Sequence, residues 1–282
     1  MGQNITKIKS RIHSVTGAYK VTSAMKLVSS VKLQANRNKM LSYREFSLSL
    51  EEACKEIFRN IGKIDSPLLK ENVNATKNLY VIVSSSLGLC GAYNTNIFKL
   101  SDANIKKEDD AIILGNKGIL RYENDSFTKL DNFSAYKSIK DEKLIKELTD
   151  YLIAKFISGE YKNIFMIYSS YKNPIVFIPK LFRVLPLNDV SNDDMLKGYG
   201  PILEASPKVL FEKASNLYIR TSVYAKLLES EVCEHASRSN AMENATDNAE
   251  ELLDNLRIEF NKARQASITQ EIIEIVGAAE SL

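Results

Sequence analysis

The stretch "AEELLDNLRIEFNKA" (249–263) decides the architecture. Ala249, Leu253, Leu256, Phe260 and Ala263 step by four, three, four and three, and the positions between are charged or polar apart from Leu252 and Ile258. That spacing is one narrow apolar face of a helix, the width of a coiled-coil seam rather than of a globular core helix. Farther back, Tyr224, Leu228 and His235 fall on the same broad face. After Pro207 there is no proline, and Gly277 is the only glycine. A helix from 208 to near 280 is expected, on the order of 100 Å long at the usual rise per residue.

A seam needs a partner, and the other end of the chain offers one. Residues 3–60 contain no proline and a single glycine, Gly17. Ile5, Ile8, Ile12, Val15 and Tyr19 repeat the three/four spacing, and Met25, Val28 and Val31 are read as carrying it on with local slippage. Gly62 and Pro67 stop the helix, which would run roughly 85 Å. Charge agrees with pairing. Met1–Arg44 holds nine Lys and Arg and no acid, whereas Glu229–Leu282 holds twelve acids against four bases. Two long helices, oppositely charged and at opposite ends of one chain, predict an antiparallel coiled coil.

The middle differs. "LYVIVSSS" (79–86), "DAIILG" (110–115) and "NIFMIYSS" (163–170) are apolar, β-branched or aromatic runs of strand length. "NPIVFIPKLFRVLP" (173–186) reads as a further strand whose Pro174 and Pro179 place it at an edge or bulge. "DEKLIKELTDYLIAKFISG" (141–159) places Leu144, Leu148, Tyr151, Leu152 and Phe156 on one helical face and Gly159 just past its end. Strands alternating with helices imply a Rossmann-like α/β domain inserted between the coiled-coil arms. The expected organisation is an N-terminal helix over 1–62, an α/β domain over 75–190 and a C-terminal helix over 206–282. The turn-rich "PLNDVSNDDMLKGYGP" (186–201) serves as the return linker.

Composition bounds the function. With 44% hydrophobic and 26% charged residues the chain is of ordinary globular make-up, and no apolar run is long enough to span a bilayer. The basic, Ser-containing, acid-free start mimics a transit peptide, but the acidic C-terminal helix gives it a structural counterpart instead. Cys54, Cys90 and Cys233 are odd in number and far apart, with no CxxC, so a reducing cytoplasm is expected and no zinc site is signalled. A net charge of +3 does not point to nucleic acid.

Two glycine-bearing turns raise the question of a nucleotide. "SSSLGLCGAYN" (84–94) follows a strand and leads toward a possible helix, but it lacks the Lys-Ser/Thr of a P-loop and the first glycine pair of a dinucleotide fingerprint. "GNKG" (115–118) also follows a strand, and Lys117 is its one candidate anion ligand. His13 and His235 are the only histidines and sit on helix faces; Ser84–Ser86 lack a nucleophile elbow; Cys90 has no activating neighbour in sequence. No catalytic residue, metal site or cofactor is expected.

The motifs themselves point to a family. "ITQEIIEIVGAAESL" (268–282) resembles the C-terminal signature of the gamma subunit of F-type ATP synthases, as do "LRIEFNKARQAS", "SEVCEHASRSNAMENATDNAEEL" (230–252), "IKSRIHSVTGAYKVTSAMKLVSSVKL" (8–33) and the "GLCG" turn. The resemblance covers essentially the whole chain in order. Two departures stand out: Ser239 where the family usually has Met, and Gly17 inside a helix.

The resemblance implies a central-stalk rotor, itself non-catalytic, whose coiled coil enters a ring of three alpha and three beta subunits. Its α/β domain then lies beside the epsilon subunit and the membrane c-ring, peripheral to the cytoplasmic face of a bacterial membrane. By position, Arg264, Gln265, Thr269 and Glu271 would meet the beta-subunit catch loops. Met25 and Lys26, opposite Arg238 and Met242, would lie at a coupling contact. Ile272, Ile275, Val276 and Ala279 would form an apolar bearing. A rotor of an ATPase-only relative driving another load is the near alternative. A scaffold or nucleic-acid-binding rod, or a nucleotide enzyme built on the α/β domain, are the distant ones. Salt-sensitive DNA binding would mark the rod, and ATP binding by the chain alone would mark the enzyme.

Overall fold

The computed structural model describes residues 2–61, 66–187 and 206–280. Most of the expected return linker, 188–201, lies outside them. Two helices dominate: α1 (Gly2–Ile61, 60 residues) and, as the last element, α5 (Pro207–Glu280, 74 residues). Between them come β1 (Leu79–Val83), α2 (Tyr93–Asn104), β2 (Asp110–Leu114), α3 (Asn116–Arg121), β3 (Thr128–Lys129), α4 (Glu142–Ile157), β4 (Ile164–Tyr171) and β5 (Phe177–Leu185). The chain divides into two compact units. One is Met1–Ser30 with Arg238–Leu282, and the other is Val31–Ser237, so each takes part of α1 and part of α5.

In the first unit the two helices pair antiparallel. Thr22 Oγ1 lies 3.0 Å from Thr246 Oγ1, Lys26 Nζ 2.8 Å from Glu243, and Ser30 Oγ 2.8 Å from Ser239 Oγ. As one number climbs by four, the other falls by three and then by four. On α5 the inward positions are Met242, Thr246, Ala249, Leu253, Leu256, Phe260, Ala263 and Ser267, which keep the three/four rhythm without a break.

On α1 the rhythm also holds, but not through the residues its apolarity suggested. Val28 and Val31 are 55% and 62% exposed, and Val21 and Leu27 lie open beside them. The seam instead continues from Ile5, Ile8, Ile12, Val15 and Tyr19 through Thr22, Lys26 and Ser29, with no slippage. Hydroxyl pairs and a lysine stem fill it there, so hydrophobicity no longer marks the inward face. Ser239, the departure from the family pattern, provides one of those hydroxyl pairs, with Ser30.

Gly17 is exposed, and an added Cβ would meet nothing within 4 Å. Gly17→Ala is therefore expected to stabilise the helix pair by about 1 kcal/mol, from helix propensity and lost unfolded-state freedom. Thermal unfolding of the full chain checks this, and an unchanged midpoint would contradict it.

The second unit is built on a five-stranded sheet in the order β3-β2-β1-β4-β5, with all neighbours parallel except the β4–β5 pair. Every residue of β1 and β2 is buried, as a parallel sheet covered on both faces requires. Alternate residues divide between two cores. Val81, Val83, Ile112, Leu114 and Met166 pack with α4 and with Val223, Leu227 and Val232 of α5. Tyr80, Ile82, Ile113 and Ile167 pack with Ile97 of α2, Tyr122 and Phe127. Met40 joins the first of these cores from α1, while Cys54 and Phe58 form a third cluster with Phe211 and Ala214 of α5. β5, carrying Pro179, lies at one edge of the sheet, and β3 lies at the other. Asp141 caps α4 by accepting from the Leu144 amide, and Gly159 follows its end at φ +78°. Ile145 joins Leu148, Leu152 and Phe156 as its buried residues; Leu144 and Tyr151 pack at the margin of the core.

Candidate functional site

The sheet order places its switch point between β1 and β4, where an open α/β sheet leaves a crevice for ligands at the strand ends. Here α5 fills it. Ser230 Oγ lies 2.8 Å from the Tyr93 hydroxyl and accepts from the Ser169 amide, and Ser237 Oγ donates to the Cys90 carbonyl at 2.6 Å. Within the 84–94 loop, Asn94 accepts from the Ser85 amide and donates to the Ser85 hydroxyl, which itself donates to the Leu87 carbonyl. The side-chain groups of Ser85 and Asn94 are thus engaged within the loop itself.

The second glycine turn is explained by close packing. The Ser84 hydroxyl donates to the Leu114 carbonyl at 2.8 Å and accepts from the Gly118 amide at 2.8 Å. A Cβ on Gly115 would lie 2.3 Å from the Ser84 carbonyl oxygen, and one on Gly118 would lie 2.5 Å from Ser84 Oγ. Both glycines let β1 and the start of α3 touch. Among the described residues no His/Cys/Asp/Glu group is arranged to hold a metal. All three cysteines are free and buried, and burial pushes the Cys54 thiol up to about 11 and the Cys233 thiol up to about 12. Neither offers a thiolate at neutral pH.

Glu231 ties unit two together. It accepts from the Asn36 amide group at 3.0 Å and the Ile139 amide at 2.7 Å, and His235 Nε2 lies 3.7 Å away. Burial opposes its charge, but these partners outweigh burial and hold its carboxyl below the usual range.

The exposed chemistry lies at the far end of α5. Carried back from Thr22–Thr246, the register sets position 267 opposite the first residues of α1, and α5 continues past the described start of α1. Ile268, Ile272, Ile273, Ile275 and Val276 are 48–69% exposed, and Ala279 is open too. Residues 268–280 would extend about 20 Å past the end of the pairing. The neighbouring Arg264, Gln265, Thr269 and Glu271 are exposed as well. Their contacts are local: Thr269 Oγ1 donates to the Gln265 carbonyl, and Ser267 Oγ lies 3.4 Å from Glu271. An unpaired helix end that exposes a broad apolar face to water, with Gln270, Glu271 and Glu274 on the other side, points to a partner that covers that face.

The Met25 region is divided. Lys26 is held by Glu243, whose carboxylate keeps the ammonium above its ordinary range, and Met25 is half-buried. Met242 and Arg238 are each only 4% exposed. Lys26 faces the Met242–Glu243 turn, and Arg238 sits about a turn away, beside Ser239. Val28 and Val31, which the sequence placed in the seam, instead join Val21 and Leu27 in an exposed apolar stripe near Lys26. The signal for that stripe lay in Val21 and Leu27, apolar residues that the seam assignment left out.

A helix pair with one overhanging apolar end, joined in sequence to an α/β unit whose crevice is filled, defines a protein that works through surfaces it offers to others. Comparison with known proteins identifies it further. A family model described as ATP synthase matches residues 4–282. The ATP synthase gamma chain of Mycoplasma mobile is 36% identical over 286 residues, covering 98% of each chain. That of Mycoplasmopsis pulmonis is also 36% identical, over 98% of this chain and 99% of its own. Among solved structures, a chain of the Euglena gracilis mitochondrial ATP synthase (OSCP/F1/c-ring, rotational state 3) matches with a TM-score of 0.70 at 20% identity, covering 100% of this chain and 95% of that one. This chain belongs to the ATP synthase gamma-chain family.

Proposed function

We propose that this chain is the central-stalk rotor of an ion-coupled F-type ATP synthase. Its helix pair engages a ring of three alpha and three beta subunits, and its α/β unit engages epsilon and the c-ring. The complex then lies on the cytoplasmic face of a bacterial membrane, to which this chain is peripheral. The observation that carries this reading is the overhang of α5, a solitary helix end with exposed Ile268, Ile272, Ile273, Ile275 and Val276. An apolar sleeve suits that end, because apolar contact is non-directional and resists turning little.

Nucleotide chemistry belongs to the ring. A single asymmetric shaft touches three identical beta subunits differently, so each favours a different affinity state. Nucleotide occupancy biases shaft angle in return, since coupling between binding equilibria is reciprocal. Arg264, Gln265, Thr269 and Glu271 have the exposure that beta-subunit catch loops would need. At the coupling contact Met25 and Lys26 supply the accessible part, while the buried Arg238 and Met242 act by holding the helix pair in register beneath it.

Met25→Lys tests this. A second ammonium beside Lys26 competes for Glu243 and presents a new charge to any partner surface, with an energy that depends on shaft angle. A contact of about 1–3 kcal/mol is comparable to a typical coupling free energy. The expected result in reconstituted vesicles is retained ATP turnover with reduced ion pumping per ATP. Unchanged pumping would leave Met25 an ordinary helix-face residue with no coupling role. A parent complex that turns over ATP without pumping would instead favour the ATPase-only rotor.

A further inference from the structure

Within the second unit a cavity of about 210 Å³ opens between α1, α5 and the β4–β5 edge of the sheet. Three cations line it, each from a different element: Arg44 on α1, Lys180 on β5 and Lys226 on α5. None of the three has an ion pair or side-chain hydrogen bond among the described residues. Two carboxylates also line it, and both are engaged. Glu51 is paired with Lys55 at 2.9 Å, and Glu229 accepts from the Ser170 hydroxyl and the Tyr171 amide, each at 2.8 Å. With Glu51 neutralised by Lys55, three cations face the single carboxylate of Glu229. The cavity therefore carries a surplus of two positive charges.

Lys226 is the unusual member. Its ammonium lies 5.5 Å from the Tyr168 ring centroid and 5.3 Å from that of Phe182. Two aromatic faces offset part of its lost hydration, but they accept none of its three N–H donors in a directed bond. Burial pulls its proton affinity below the ordinary lysine range; Glu229 and Glu51 restore some of it, and Lys180 and Arg44 push it down further. A half-buried cation crowded by two others is an arrangement that a fold retains at a cost unless a counter-charge enters.

We propose that this cavity is a binding site for a phosphate dianion. The charge of a phosphate matches the surplus of two. Arg44 presents a planar fork suited to two phosphate oxygens, and the two lysines act as point charges on the others. A free phosphate and a lipid headgroup present the same dianionic chemistry to these cations.

The test is calorimetric titration of the purified full chain with inorganic phosphate, together with pelleting on phosphatidylcholine vesicles with and without phosphatidic acid. Saturable binding of one phosphate per chain is expected, weakened at least tenfold by Lys226→Met and by Arg44→Gln. Lys143→Gln, on the exposed face of α4 and outside the cavity, should leave it unchanged. Arg44 is at the surface, so Arg44→Gln remains informative if Lys226→Met fails to fold. Binding to phosphatidic acid vesicles alone, with the same sensitivity to both substitutions, would assign the headgroup as the source. No saturable binding of either probe, or binding indifferent to both substitutions, would overturn the proposal.

Discussion

Gly115→Ala is expected to destabilise the α/β unit by about 2–6 kcal/mol. Two costs combine. Gly115 sits at φ +96° with ψ 137°, a region closed to residues with a Cβ, and holding alanine there costs about 1–3 kcal/mol. The new methyl would also lie 2.3 Å from the Ser84 carbonyl oxygen, and forcing apart a packed core costs about 1–3 kcal/mol more. Against a typical total stability of about 5–15 kcal/mol, that is enough to leave much of the chain unfolded at growth temperature. Urea denaturation of the full chain measures it. Adding Ser84→Ala should not rescue the variant, because the atom in the way belongs to the backbone. A variant within 0.5 kcal/mol of the parent would show that the β1–α3 contact is not the reason for this glycine.

Leu256→Asp is expected to open the helix pair. Leu256 is 2% exposed in the seam of the first unit, where the register sets it opposite Ile12. Losing a buried leucine costs about 2–5 kcal/mol, and a carboxylate at a seam position between Leu253 and Phe260 loses hydration as well. A loss of about 4 kcal/mol corresponds to roughly a thousandfold faster amide hydrogen exchange across 8–19 and 249–263, if those segments exchange through separation of the helices. Leu252, one turn away and 39% exposed, provides the control: Leu252→Asp should change exchange little. Equal effects at both positions would mean that the seam does not hold the helices together.

Which parts of this were legible in sequence follows from what holds each part together. The seam at 249–263 and at Ile5–Tyr19 could be read directly, since apolar burial alone stabilises it. From Thr22 to Ser30 the same seam is held by Thr22–Thr246, Lys26–Glu243 and Ser30–Ser239, so the apolar signal moved to Val28 and Val31, which face away. The strands were visible because both sheet faces are covered and every position of β1 and β2 is apolar or buried. β3, two residues long, carries too few side chains to show a period. "GNKG" read as a possible anion turn because the local sequence of a glycine turn does not reveal what approaches it. Only the tertiary contact with Ser84 distinguishes close packing from ligand binding. The phosphate-sized cavity was equally hidden, as Arg44, Lys180 and Lys226 come from three elements far apart in the chain.

The rotor reading has a direct mechanical test. Val73 is 91% exposed, whereas Cys54, Cys90 and Cys233 are at most 2% exposed, so Val73→Cys offers one accessible thiol for a fluorescent rod or bead. With the alpha–beta ring fixed to a surface and ATP supplied, the label should turn in one direction, with three pauses per revolution for the three beta subunits. ATP turnover by an intact complex whose label stays still would contradict the account.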